Sequence, residues 1–155
     1  MSITDNIKTL KNEIEVTNVK LVAVSKTKPN EDILEAYAAG QRIFGENQVQ
    51  EMVEKHEALP KDIEWHLVWH LQSNKAKYIA PFVSLIHGVD SLKLLIEINK
   101  QAIKQNRVID CLLQIYIADE ETKLSLHCFG WCPAQYLPSK EICQSVFTCQ
   151  AVFFA

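Results

Sequence analysis

The feature that most constrains this chain is a change of hydrophobic period that repeats. Residues 20–24 form a short, uniformly apolar, β-prone run, Leu21, Val22, Ala23 and Val24, too short for a surface helix and suited to a strand covered on both faces. A helix follows, opened by Pro29, Asn30, Glu31 and Asp32, with Asn30 as its expected cap, and stopped by Gly40. The alternation continues through a strand at 42–44, a helix at 46–56, a strand at 63–68, a helix at 73–79 closed by Pro81, a strand at 83–87, a helix at 91–105 and a strand at 108–117. Along the 91–105 helix, Leu92, Leu95, Ile96, Asn99 and Ile103 mark the expected buried side. A further amphipathic helix, with Ser2 at its cap, is predicted over 3–15.

Five β–α units in succession predict a parallel sheet. An open doubly wound sheet and part of an eightfold barrel both satisfy the pattern, and periodicity does not choose between them. Near residue 123 the character changes. Residues 124–155 carry only Lys140 and Glu141 as charges, hold four of the five cysteines, and end in an uncharged β-prone run that favours aggregation when exposed. We therefore divide the chain into a β–α portion, 1–123, and an irregular tail rich in cysteine and aromatic residues, 124–155.

Composition removes several functional classes. A net charge of −3, with sixteen scattered Lys and Arg residues, gives no basic stripe for nucleic acid. No stretch is long and apolar enough to cross a bilayer, and the first residues do not have the form of a secretory signal, so the cytoplasm is the expected compartment. The four glycines form neither a dinucleotide nor a nucleoside-triphosphate loop. His127, Cys128, Cys132, Cys143 and Cys149 lack the paired C-x₂-C spacing of zinc sites, and no metal is expected.

Ligands of parallel α/β folds bind where strands end at their carboxyl side. The first such edge reads Ser25, Lys26, Thr27, Lys28, Pro29. With the chain extended, Lys26 and Lys28 share a side, and an amine leaving a buried strand beside a second cation is expected to be desolvated enough to attack an aldehyde. Position alone also allows two solvated lysines. The second edge, Phe44, Gly45, Glu46, Asn47, offers a close backbone turn and a side-chain amide, or simply a helix start at Glu46 or Asn47. At the third, His66 could stack on or hydrogen-bond to a flat ring, or be a satisfied core histidine, while His66 and His70 lack the helical context of a metal pair.

Five segments, LVAVSKTKP (21–29), AGQRIFGENQVQE (39–51), EWHLVWHLQSNK (64–75), SLIHGVDS (84–91) and LLQIYIADEETK (112–123), resemble the pyridoxal phosphate homeostasis family, relatives of the barrel domain of alanine racemase. The resemblance covers roughly residues 1–123. It implies a partial (β/α)8 TIM-type barrel of about five β–α units with pyridoxal 5′-phosphate as cofactor. It also implies a Schiff base on Lys26, with Lys28, Asn47 and His66 lining or adjoining the pocket, no established catalytic turnover, and a monomeric state. Trp69 stands where that family has glycine, and the likeness ends after residue 123, as expected of a truncated or frame-shifted product. By the same resemblance, the later loops that hold the cofactor phosphate in such barrels are expected to be missing. An inert fragment and a racemase-like enzyme therefore stay open as alternatives, and unpaired sheet edges predict poor solubility or self-association.

Overall fold

In a computed structural model the chain is described over residues 2–15, 19–116 and 126–127. The first helix, α1 (Ile3–Ile14), starts where expected: Ser2 Oγ accepts from Asp5 N and the Asp5 carboxylate accepts from Ser2 N, a capping box closing both free amides. Then β1 (Ala23–Val24), α2 (Asn30–Ala38), β2 (Ile43–Glu46), α3 (Val49–Ala58) and β3 (Glu64–His70) alternate. A 3₁₀ turn at Ser73–Lys75 runs into α4 (Ala76–Ile79), followed by β4 (Val83–Val89), α5 (Leu92–Lys104) and β5 (Asp110–Leu113). Beyond β5, β6 (Ile115–Tyr116) pairs in parallel with β7 (Leu126–His127). The rest of the 124–155 tail, with its cysteines, lies outside the described residues.

The five main strands pair in parallel in the order β1-β2-β3-β4-β5. This decides between the two architectures. A doubly wound sheet reverses its strand order part-way, whereas strictly sequential neighbours joined by crossovers of one hand put their helices on one face and curl as a barrel segment. The fold is α/β, part of a (β/α) barrel.

Register sorts the side chains. Phe44, Trp65 and Val83 are aligned partners, all within 1% of full burial beneath the helices, with the Phe44 and Trp65 rings 6.1 Å apart. Gly45, His66 and Leu85 align on the opposite, inner face, one residue beyond Phe44 and Trp65 and two beyond Val83, because the β3–β4 register shifts there. A Cβ on Gly45 would stand 3.0 Å from Val68 Cγ1 and 3.2 Å from Val22 Cγ1, so glycine keeps this face open. Buried Gln41 fastens the first strand by donating to Leu21 O and Ile43 O at 2.8 and 2.7 Å.

Four local expectations change. The first strand is two residues long and Val24 is half exposed, because β1 ends the sheet instead of sitting inside it. Asn30 is the first helical residue, and Pro29 occupies the cap without a side-chain bond. Glu46 closes β2, and α3 starts only at Val49. On α5 the buried residues are Leu94, Leu95, Ile98, Gln101 and Ala102, while Leu92, Ile96 and Ile103 are exposed. That helix carries apolar residues on two sides, and only packing against the sheet selects one. At Trp69 the ring points into solvent, and the close backbone approach falls to Gly88 instead, whose added Cβ would meet Trp69 O at 3.0 Å.

Candidate active site at the strand ends

The chain leaves β1 at Ser25, a buried residue held from several directions. Its amide donates to Gly45 O at 2.9 Å, its hydroxyl donates to Glu46 Oε1 at 2.6 Å, and its carbonyl accepts from Lys28 N at 3.0 Å and from Lys55 Nζ at 2.7 Å. Residues 25–28 thus form a turn, with Thr27 at φ 61°. A β-branched residue in the left-handed region is strained and persists only where its surroundings hold it. Here Thr27 N donates to Glu51 Oε1 at 2.7 Å.

Lys26 and Lys28 flank Thr27, and both side chains are exposed. The expected extended chain, with both lysines on one side, gives way to the turn, and burial does not provide the desolvation expected for the Lys26 amine.

Behind the turn, Lys55 of α3 is buried between two carboxylates, 2.8 Å from Glu46 Oε1 and 2.7 Å from Glu51 Oε1. Burial pulls the Glu51 carboxyl up, but the hydrogen bonds from Lys55 and Thr27 together with the Lys55 charge outweigh it, and the group titrates below its ordinary value. Removing one partner of such a buried pair strands the other charge in a poorly solvated place, at a cost of about 3–5 kcal/mol. The sequence carried a trace of this: Glu51 and Lys55 lie four apart on a predicted helix, a spacing that ordinarily means a solvated surface pair. That Glu46 would turn inward to meet them was not visible.

Asn47 follows directly after β2, with Oδ1 buried and without a hydrogen-bond partner among the described residues. On the inner face, His66 is buried, with Nδ1 3.1 Å from Nε2 of His87. Burial, and secondarily the charges of His87 and Lys20, push the His66 imidazole down to about 4; burial lowers His87 as well. The two rings are therefore neutral near pH 7, one nitrogen of the contact donating and the other accepting. At the rim of β3 and β4, His70 Nδ1 lies 2.8 Å from Asp90 Oδ2. His87 and Asp90 escaped the sequence reading because each acts through a partner on a neighbouring strand.

Among the described residues no cluster of His, Cys, Asp and Glu is placed to hold a metal ion, and no helix is long and apolar enough to cross a membrane.

The strand ends thus present an exposed primary amine on a turn held by hydrogen bonds, a buried amide oxygen without a described partner, and two imidazoles whose protonation burial disfavours. The sequence model of the alanine racemase N-terminal domain matches residues 1–121. The chain belongs to that family. Within the alanine racemase N-terminal domain family it is similar to the pyridoxal phosphate homeostasis protein of Aquifex aeolicus, 48% identical over 105 residues, which are 67% of this chain and 46% of the relative. The corresponding protein of Pasteurella multocida is 45% identical over 108 residues, 68% of this chain and 46% of the relative. Among solved structures it resembles PipY of Synechococcus elongatus with PLP bound, at TM-score 0.69 and 39% identity over 77% of this chain and 57% of that one. The chain spans about half the length of the curated relatives it matches.

Proposed function

We propose that this chain binds pyridoxal 5′-phosphate and takes part in its intracellular homeostasis, carrying it without turnover as a Schiff base on Lys26. The observation that carries this reading is Lys26 just past the end of β1 on a turn whose backbone is fixed on both sides, with Asn47, its amide oxygen unpartnered among the described residues, just past the end of the neighbouring strand β2. The residues fit the cofactor: Asn47 has an unused acceptor for a ring substituent, and His66 and His87 present uncharged surface to an aromatic ring. Lys28, exposed across the turn, adds a positive charge suited to an anionic ligand. When bound, pyridoxal 5′-phosphate supplies an aldehyde that captures amines and a ring that draws in electrons. Lys26 Nζ would be the group that holds the cofactor through that aldehyde.

The test is incubation of the purified chain with pyridoxal 5′-phosphate, borohydride reduction and peptide mass spectrometry. One adduct on Lys26, absent from Lys26→Ala and present in Lys28→Ala, supports the reading; an unlabelled Lys26 ends it. Cytoplasmic location belongs to the same proposal, as does self-association through the sheet edges at β1 and β5, which a monomeric sedimentation profile would remove.

A second reading, a racemase-like enzyme, requires an acid–base group besides Lys26. His70, oriented by Asp90 at the same rim, has that chemistry. Deuterium exchange at an amino acid's α-carbon, dependent on added pyridoxal 5′-phosphate and lost in His70→Gln, would support it; retention of the α-hydrogen excludes it.

A further inference from the structure

The two peptide units that flank Lys26 are both tied to one buried ion cluster. The Ser25 carbonyl, part of the unit preceding Lys26, accepts from Lys55 Nζ at 2.7 Å. The Thr27 amide, part of the unit following it, donates to Glu51 Oε1 at 2.7 Å. Glu51 Oε1 itself pairs with Lys55 at 2.7 Å, and Lys55 pairs with Glu46 Oε1 at 2.8 Å. Glu46 in turn accepts from the Ser25 hydroxyl at 2.6 Å, closing the circuit.

We infer that Lys55 is the positioning residue for Lys26: clamped by Glu46 and Glu51, it fixes both backbone attachments of the reactive lysine and so directs an aldehyde to Lys26 rather than to neighbouring Lys28. This rests on the proposed role of Lys26 and adds the reason why one of two exposed lysines should be chosen. Several physical points support it. A buried ammonium is costly to desolvate, and here two carboxylates and a carbonyl oxygen surround it, so its geometry is tightly determined. Thr27 occupies a backbone region unfavourable for a β-branched residue, and the Glu51 bond holds it there. Released, residues 26–28 would relax toward an extended chain, the conformation favoured ahead of Pro29, and the distinction between the two lysines would blur. A side chain held ready by fixed backbone reacts faster than one that must search.

The test compares the full chain with Glu46→Gln/Lys55→Met, which removes the buried Lys55–Glu46 pair whole, leaves only the partly exposed Glu51 carboxylate without its lysine and keeps an acceptor for the Ser25 hydroxyl, and with Glu51→Ala, which frees the Thr27 amide while altering a partly exposed position. Each is treated with pyridoxal 5′-phosphate and borohydride, and adducts on Lys26 and Lys28 are counted by peptide mass spectrometry. Hydrogen exchange at Thr27 is followed without any cofactor. In folded variants, shown by an unchanged far-ultraviolet spectrum, the Lys26 to Lys28 ratio should fall at least tenfold and Thr27 exchange should accelerate at least tenfold; Lys55→Arg should restore part of both. A folded Glu51→Ala chain that keeps the wild-type ratio and slow Thr27 exchange overturns the inference, whether or not the double variant folds. Absence of a Lys26 adduct on the wild-type chain instead overturns the cofactor reading beneath it, and Thr27 exchange distinguishes the two failures.

Discussion

Nε2 of His87 on β4 lies 3.1 Å from Nδ1 of His66 on β3, across two adjacent strands of the inner barrel face. A pair of imidazoles at this distance can share one hydrogen only while at least one ring is neutral, and burial keeps both in that state near pH 7. The sign of the resulting pH dependence follows from the depressed values. Above about 6.5, the ordinary histidine value, both folded and unfolded chains hold His66 neutral and its contribution is complete. As pH falls from 6.5 toward 4, the unfolded chain takes up a proton that the folded chain refuses, and stability drops. The loss should be on the order of 2–3 kcal/mol between pH 7 and pH 4, with His87 adding in the same direction. Urea unfolding of the wild type and of His66→Gln over that range measures it; parallel curves would remove the assignment.

Gly88 faces the backbone of Trp69, with the position of an added Cβ 3.0 Å from the carbonyl oxygen and 3.3 Å from the carbonyl carbon. Backbone cannot swing aside as a side chain does. Gly88→Ala should therefore push β3 and β4 apart at their irregular register and lower stability by about 1–3 kcal/mol. A shift in urea midpoint checks this, with Ser84→Ala, on the same strand and partly buried, as the comparison.

Cys111 of β5 is buried, and burial together with the charge of Asp110 pushes its thiol up to about 12. At pH 8 almost none of it is thiolate, so iodoacetamide should leave it untouched in the native chain and alkylate it readily in urea. Peptide mapping reads this residue apart from the other four cysteines. Rapid native labelling would mean that β5 opens far more often than its packing implies.

Asn47 Oδ1 is buried without a described partner, a state that costs free energy until some donor arrives. If that donor is part of a bound ring, Asn47→Ala should weaken pyridoxal 5′-phosphate binding about tenfold, the equivalent of about 1.4 kcal/mol, while barely changing stability. Titration followed by absorbance gives the affinity. Unchanged binding would show that the amide serves only the turn.

The alternation of apolar runs with amphipathic segments was sufficient to establish five β–α units and a parallel sheet, because strand and helix periods are local properties of the chain. Ser2 and Gly40, at the termini of their helices, were equally legible, since capping and left-handed turns are settled within a few residues. The candidate residues at the strand ends followed from the same logic, since Lys26, Lys28 and Asn47 come directly after apolar strand runs; His66 lies within β3, paired with Gly45. The second apolar stripe of α5 shows where local reasoning stops, because Leu92, Ile96 and Ile103 satisfy the helical period as well as the buried set does.

What tertiary structure alone decided is the company each polar group keeps. Glu46 read as a helix start and became the buried partner of Lys55; His87 was a residue in an apolar run and became the neighbour of His66; Asp90 met His70. Such pairings join residues brought close by strand register and by a helix folding back over the sheet. Electrostatic energy depends on those distances and on the exclusion of water, and neither is written in the order of the residues.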